Sequence, residues 1–336
     1  MRAESVRSHH LSKISLPLAL LALLLLAASR PAAAGPVPAG LTPADWSQIR
    51  ALLLAPAAPA QQAYLKASNA EFFDDFGTSV AVHGDTVVVG ARYEAGNGAG
   101  GEGDNSADQA GAAYVFVRNG SGWSQQAYLK ASNAETYDWF GFSVDVAGDT
   151  IVVGAPYEAS SVAGDESDNN GYSAGAAYVF VRSGSTWSQQ AYLKAANVES
   201  RDQFGSSVAI AGDTIVVGAR GEDGNSAGGT STWDAGAAYG FFRSGTSWSQ
   251  QAYLKAANAA AFDWFGCSDD IAGDGATIVA GAPYESGNGA GGPDDNSAQG
   301  AGAAYVFVRS GSTWSQEAYL KAANVGDSDH FGYAVG

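Results

Sequence analysis

A Phe-Gly pair with an aspartate two residues before it occurs five times in this chain, at Phe76, Phe140, Phe204, Phe265 and Phe331. Successive copies are 64, 64, 61 and 66 residues apart. Repetition at such an interval indicates a body built from one supersecondary unit, copied along the chain. The fold and the function are therefore best inferred per unit, and a length-based expectation of about two domains does not apply.

Each unit contains four strand candidates, and the first copy shows them clearly. Residues 76–83 and 86–90 are joined by Gly84-Asp85, a two-residue connection with glycine first that predicts a type II′ hairpin. Unbroken β-branched runs such as 87–89 predict second strands that are buried on both faces. Residues 113–118 and 123–130 are more polar and predict outer strands. Four-stranded units with apolar inner and polar outer strands predict an all-β fold, a β-propeller of antiparallel blades.

Three motifs recur in one order within these units. Phe-Gly is followed by Gly-Ala-Pro or Gly-Ala-Arg, as at Gly154 and Gly90, and then by Gly-Ala-Ala-Tyr-Val-Phe, as at Gly111. This arrangement resembles the FG-GAP repeat of integrin alpha-subunit propellers and of many secreted bacterial proteins. The resemblance covers residues 61–336. It implies a seven-bladed ring used for adhesion or ligand binding.

The repeats also predict how the chain is divided. Four complete blades are expected at about residues 76–131, 140–195, 204–256 and 265–322, with a partial blade at 331–336. Residues 61–67 repeat only the fourth strand of a unit. Because the first and last segments of a closed propeller usually complete one shared blade, we expect a fragment of a longer, seven-bladed parent, with an open ring and an unpaired strand edge.

The N-terminal segments have a different composition. Arg2, Arg7 and Lys13 precede an apolar run at 16–28 and small residues that end at Ala34, a pattern typical of a secretory signal peptide over residues 1–34. The run has 13 residues, fewer than the ~20 that a membrane span needs. Residues 35–60 are rich in Ala and Pro and are expected to form a linker. We therefore expect a protein that is secreted or displayed at the cell surface, with the periplasm as a further compartment, and no membrane span after signal removal.

Charge and histidine content narrow the function classes. The chain has 17 basic and 34 acidic residues, for a net charge of −17. This balance disfavours nucleic acids and anionic membranes as partners, because phosphate contacts need clustered Lys and Arg. Outside the predicted leader only His83 and His330 remain, at non-equivalent places, so a catalytic triad has no support and we expect no enzyme.

Topology predicts where a ligand would bind. The connections from second to third strand, and from fourth strand to the next blade, share one end of the blades and include long acidic segments. These second-to-third segments cover residues 93–110, 157–174, 221–235 and 284–301, and each has a glutamate near its start, at Glu94, Glu158, Glu222 and Glu285. The ligand-binding candidates among the acids are Asp104, Asp168, Asp223 and Asp295, and the metal-ligand candidates are Asp104, Asp108, Asp165, Asp168, Asp294 and Asp295.

Two interpretations of these acids stay open. They could coordinate Ca²⁺ or recognise a cationic or polyhydroxylated ligand, or they could only keep a polar loop solvated. The calcium cage that the family resemblance implies, in the turn between first and second strands, is missing. Each such turn holds one carboxylate, as at Asp85, whereas Ca²⁺ needs six to eight oxygens. No resident cofactor is therefore predicted.

Asn and Asp residues five positions apart, such as Asn69 and Asp74, precede each Phe-Gly and predict local turns that cap the first strand. Tryptophans that open the fourth strands, such as Trp187, predict packing between sheets. The less regular Trp139, Trp233 and Trp264 are ligand-binding candidates. The leading hypothesis is a non-catalytic adhesion or interaction module for an extracellular protein or matrix ligand. The alternatives are a lectin-like propeller that binds glycans, or the non-catalytic propeller of a larger secreted enzyme.

Overall fold

A computed structural model describes residues 42–44, 46–47, 61–98, 101–162, 165–224, 232–289 and 295–336. The chain divides into two units, Met1–Gln62 and Ala63–Gly336. The predicted leader lies outside the described residues. So does the predicted linker, except for residues 42–44 and 46–47, of which 43–44 and 46–47 are helical. Both assignments stay predictions. In the part of the chain that the structure describes, no helix is long and apolar enough to cross a membrane.

The second unit contains four antiparallel sheets of four strands, and the strands follow one another in chain order. The first sheet comprises β1 (Phe76–His83), β2 (Thr86–Ala91), β3 (Ala112–Asn119) and β4 (Gly122–Leu129), and the second comprises β5 (Ser143–Ala147), β6 (Thr150–Ala155), β7 (Ala176–Ser183) and β8 (Thr186–Leu193). The third sheet comprises β9 (Phe204–Ala211), β10 (Thr214–Ala219), β11 (Ala237–Ser244) and β12 (Ser247–Leu254). The fourth sheet comprises β13 (Ser268–Ile271), β14 (Thr277–Ala282), β15 (Ala303–Ser310) and β16 (Thr313–Leu320). A short 3₁₀ helix, Gly101–Gly103, lies between β2 and β3. These are the four blades that the repeats predict.

Local sequence explains the hairpins and the inner strands. Gly84 has φ of 56° and begins the β1–β2 turn, whereas Asp85 stays outside the left-handed region, as the predicted type II′ turn requires. Every residue of β6 and of β10 is buried. The unbroken apolar runs thus form strands covered on both faces.

The Phe-Gly and Gly-Ala motifs meet at each junction between blades. A Cβ on Gly154 would overlap the carbonyl oxygen of Gly205, the glycine of the next Phe-Gly pair. Ser143 Oγ donates to that same oxygen at 2.9 Å. The Phe204 ring is fully buried in a cluster that also holds Val152 of the preceding blade. The two motifs therefore form one interlocking contact that only glycine permits, and it recurs between Gly90 and Gly141, Gly218 and Gly266, and Gly281 and Gly332.

Tryptophans at the start of the fourth strands also join neighbouring blades, as predicted. Trp187 is buried, and its Nε1 donates to Oε1 of Gln126 in the preceding blade at 2.9 Å. The face of β1 is different, because no blade covers it within the described residues. Val80 and Val82 are 61% and 67% exposed there, whereas the equivalent Val144 and Val146 are buried.

Candidate ligand-binding face

Two ends of the blades are distinguished by their connections. The end that carries the second-to-third-strand loops and the connectors between blades is called the loop face. The end that carries the short hairpins, such as Gly84-Asp85, is called the turn face. On the loop face each connector is paired with the loop of the preceding blade. The N–H groups of Tyr137, Arg201, Phe262 and Ser328 donate to the carbonyl oxygens of Asp108, Tyr172, Trp233 and Gln299 at 2.8 to 2.9 Å.

The aspartates of the connectors act as local caps, as the sequence predicts. Asp138 Oδ2 accepts a hydrogen bond from the Glu135 amide at 2.7 Å, and Asp202 and Asp263 accept equivalent bonds at 2.7 and 2.8 Å. Burial raises the pKa of each of these three carboxyls to about 7, and the bond from the backbone amide opposes that shift. These groups organise the connector rather than face a ligand.

The asparagines have a different role from the predicted local turn. Asn133 Oδ1 accepts from Tyr178 Oη at 2.7 Å, and its Nδ2 donates to Glu158 Oε1 at 3.2 Å. Both partners lie more than 20 positions away along the chain, so the interaction is tertiary. The prediction of a cap is therefore right for the aspartates and wrong for the asparagines.

Four of these asparagines, Asn69, Asn133, Asn197 and Asn258, donate to a buried glutamate and so belong to a polar network beneath the loop face. Glu158 is 1% exposed and accepts from Lys194 Nζ at 2.9 Å and from Tyr192 Oη at 3.0 Å. Lys194 Nζ also donates to the carbonyl oxygen of Gly175 at 2.7 Å. Burial lowers the pKa of Lys194, while the Glu158 carboxylate opposes that shift. The same ion pair recurs in the other blades as Glu94–Lys130, Glu222–Lys255 and Glu285–Lys321.

This network corrects the interpretation of four loop acids. Glu94, Glu158, Glu222 and Glu285 are at most 4% exposed, so they cannot face a ligand or a solvated metal. A buried carboxylate is tolerated because a lysine and several hydroxyl or amide groups satisfy it. The network ties the loop, the connector and the third and fourth strands together, and so fixes the base of the loop face.

Most of the remaining acidic candidates bond within their own loops. Asp104, Asp168 and Asp295 each accept from a backbone amide seven positions earlier, at Asn97, Ser161 and Asn288, over 2.6 to 3.2 Å. Asp165 accepts from the Ser167 amide at 3.0 Å, and Asp223 from the Asp234 amide at 2.7 Å. Loop closure is thus the observed role of these five carboxylates.

No group of three or more His, Cys, Asp or Glu side chains is placed to hold a metal ion within the described residues. Asp108 is exposed on the first loop, whereas Asp294 lies outside the described residues. Calcium coordination by these loops stays an untested alternative.

The three candidate tryptophans lie in different environments. Trp233 is 65% exposed, at the junction between the third and fourth blades. Trp139 is half-buried, with its ring 4.2 Å from that of Tyr157 and its Nε1 donating to Gln109 Oε1 at 3.2 Å. Trp264 is also half-buried, with its ring 4.6 Å from that of Tyr284. Trp233 is therefore the most accessible of the three, while the other two present part of a packed ring.

The repeats match a family profile described as FG-GAP repeat, over residues 59–116, 123–180, 187–241 and 248–307. The matches cover more than half of the chain. The chain belongs to the FG-GAP repeat family. Each match runs from the fourth strand of one blade to the third strand of the next, so the FG-GAP frame spans a junction between blades. A search of curated proteins found no match.

Two features of this FG-GAP protein were missed in the sequence. On the turn face, Arg118, Arg182 and Arg243 pair with the turn residues Asp85, Asp149 and Asp213. On the loop face, the guanidinium carbons of Arg92 and Arg220 lie 5.4 and 5.2 Å from the ring centroids of Trp139 and Trp264. A signal for the first was present, because Arg and Asp each recur at a fixed place in three hairpins. The second depends on contacts between blades and has no short-range signal.

Proposed function

We propose that this FG-GAP protein is a non-catalytic interaction module that acts outside the cell and binds a protein or matrix ligand through its loop face. FG-GAP repeats form propeller modules for interaction, and the proposal adds the location, the face and the class of ligand. One observation carries it. The same backbone bond at each junction presents a different pair of side chains, namely Asp108 and Tyr137, Tyr172 and Arg201, Trp233 and Phe262, and Gln299 and Ser328.

These junction side chains have the character of binding residues. Tyr137, Tyr172, Trp233 and Phe262 are between 54% and 69% exposed. Large aromatic side chains are enriched at the centres of protein interfaces, where few residues contribute most of the affinity. Here the backbone bonds at the junctions tie these residues together in pairs, which lowers the cost of ordering them when a ligand binds.

Two further observations support the other parts of the proposal. A non-catalytic role is favoured because most of the described acids of the loop face close loops, cap connectors or form buried ion pairs, and so have a structural use. An extracellular location is favoured by the composition of residues 1–34. Mass spectrometry of the protein in culture medium tests the location. Protein that is found only inside the cell and still begins at residue 1 would contradict it.

The binding proposal is tested with immobilised protein, a panel of purified matrix proteins and a glycan array. Trp233→Ala should weaken binding of a panel ligand about tenfold or more, because a central aromatic anchor is removed. Asp149→Asn, on the turn face, is the matched control and should leave binding unchanged. Equal losses for both variants, or no binding to any probe, would contradict the proposal.

A glycan-binding module is the second candidate, and one observation favours it. The Trp139 and Trp264 rings each pack against a tyrosine ring while staying half-exposed, a geometry that suits stacking on the apolar face of a sugar. Binding to the array that Trp264→Ala abolishes would support this candidate. Binding only to matrix proteins would exclude it.

A further inference from the structure

An alternation of residue types runs across the blades on the loop face. The residue before Phe-Gly and the third residue of the Gly-Ala motif are Asp75 and Arg92 in the first blade, Trp139 and Pro156 in the second, Gln203 and Arg220 in the third, and Trp264 and Pro283 in the fourth. Each arginine therefore precedes a blade that offers a tryptophan. The guanidinium carbons of Arg92 and Arg220 lie 5.4 and 5.2 Å from these tryptophan rings.

One phenylalanine joins the two halves of this arrangement. The Phe142 ring centroid is 5.7 Å from the Arg92 guanidinium carbon and 5.8 Å from that of Arg220. It also stacks on Trp139 at 6.2 Å with an interplanar angle of 16°. Arg92, Trp139, Phe142, Arg220 and Trp264 thus form a continuous surface, called here the arginine–aromatic patch.

The two arginines differ in how their charge is balanced. Arg92 donates from Nε and Nη2 to Asp75 Oδ2 at 3.2 and 3.0 Å. Arg220 Nε donates instead to Gln203 Oε1 at 2.6 Å, so its partner is a neutral amide. A further partner is the Cys267 thiol, and burial raises the pKa of that thiol. No carboxylate in the described part of the chain lies within ion-pair distance of Arg220.

We propose that Arg220 binds the carboxylate of an acidic sugar, with Phe142 and Trp264 forming the apolar walls of the site. A guanidinium offers a planar fork that matches a carboxylate, and among the described residues no carboxylate engages the two Nη nitrogens of Arg220. The two rings lie 5.8 and 5.2 Å from the guanidinium carbon and reduce its contact with water, which strengthens an ion pair there and suits the C–H face of a sugar ring. This inference rests on the glycan-binding form of the proposed function and names the chemical class of the glycan.

The net charge of the chain further limits the class of acidic ligand that can bind. The whole chain has a net charge of −17. Repulsion from such a field opposes the approach of a dense polyanion such as a sulfated polysaccharide. One arginine neutralises one carboxylate. The fitting ligand is therefore a largely neutral oligosaccharide that carries an isolated uronic acid.

The probe is a galacturonic acid trisaccharide with one free carboxylate, titrated into the full chain by calorimetry, beside the fully methyl-esterified trisaccharide. Arg220→Gln should weaken binding of the acid at least tenfold. Arg220→Lys should give a smaller loss of affinity, because the positive charge stays while the planar fork of the guanidinium is lost. The ester should not bind measurably. Thermal unfolding of each variant checks that the fold is retained.

Arg309→Gln is the matched control. The Arg309 guanidinium carbon lies 5.5 Å from the Trp314 ring centroid, on the turn face, with no carboxylate at ion-pair distance among the described residues. Its removal should not change binding. Three results would overturn the inference. These are equal binding of acid and ester, an equal loss of binding in Arg220→Gln and Arg309→Gln, and no binding of the acid at millimolar concentration.

The proposed function can survive that failure. If Trp233→Ala removes binding of a matrix ligand while Arg220→Gln retains it, the module function stands and the acidic-sugar inference is wrong. The acidic-sugar inference is also wrong if an acidic peptide binds in a manner that depends on Arg220 and the trisaccharide does not bind. If neither variant changes the binding of any probe, both proposals fail.

Discussion

The turn face and the loop face of the blades are built from the same repeats but retain different features. On the turn face the side chains themselves recur: Arg182 pairs with Asp149 and lies over Trp187, and the first and third blades repeat this arrangement. On the loop face the backbone bonds recur while the exposed side chains differ from blade to blade. The comparison indicates that repeated side chains maintain the architecture and that the varied ones are available for binding.

Just below the loop face the side chains are again the same in each blade. Glu158 and Lys194 are both buried, and the equivalent ion pair is present in all four blades. The varied surface therefore rests on a uniform polar network. We interpret this layer as the reason why loops of different length and sequence keep one geometry at each junction.

Breaking the buried network should have the largest effect. Glu158→Gln leaves Lys194 buried without its carboxylate and is expected to lower the free energy of unfolding by about 3 to 5 kcal/mol. Denaturant-induced unfolding measures the change. The exposed Glu199→Gln in the following connector is the control and should stay within about 0.5 kcal/mol of the parent.

The double variant Glu158→Leu with Lys194→Met sharpens this prediction. Replacing both charges with apolar side chains should restore much of the lost stability, because no unpaired charge remains buried. A single variant as stable as Glu199→Gln would show that the network is not needed to hold the loop face.

A change in the opposite direction is expected at Asp269 in β13. This carboxyl is 8% exposed and stands where the second and third blades have Val144 and Val208. Ser207 Oγ donates to its Oδ2, whereas its Oδ1 has no hydrogen-bond partner among the residues that the structure describes. Asp269→Val should raise the free energy of unfolding at pH 8 by about 1 to 3 kcal/mol, because a buried unsatisfied group is removed.

The pH dependence of that gain follows from the sign of the pKa shift. Burial raises the pKa of Asp269 from 3.8 to about 7. Below pH 3.8 the carboxyl is protonated in both folded and unfolded chains, and as pH rises through about 7 the folded state loses stability. The advantage of Asp269→Val should therefore grow between pH 4 and pH 8. Asp270→Ala, at the next position of β13, is the control, and an equal pH-dependent gain there would contradict the assignment.

The smallest effect is expected on the turn face. Asp149 has a side chain that is 68% exposed, so Asp149→Asn removes a solvent-screened ion pair with Arg182. The expected cost is about 0 to 1 kcal/mol, and it should disappear in 1 M salt. A loss of unfolding free energy comparable to that of Glu158→Gln would show that the exposed and the buried charge pairs do not differ in their contribution to stability.

Local patterns predicted the hairpins and strands because glycine turns and β-branched runs act over a few residues. They did not predict the role of Glu94, since its loop is acidic throughout and sequence does not show which carboxylate points inward. A signal did exist, because a glutamate after the Gly-Ala motif and a lysine after the fourth strand recur in every complete unit. The arginine–aromatic patch had no such signal, as Arg220 and Phe142 meet only through the stacking of blades.

Hydrogen–deuterium exchange with a bound panel ligand tests the division between the two faces most directly. The account predicts protection of the connectors at residues 132–139, 196–203 and 257–264, with unchanged exchange in the hairpins at 83–86, 147–150 and 211–214. Protection confined to the hairpins, with no change in the connectors, would contradict it.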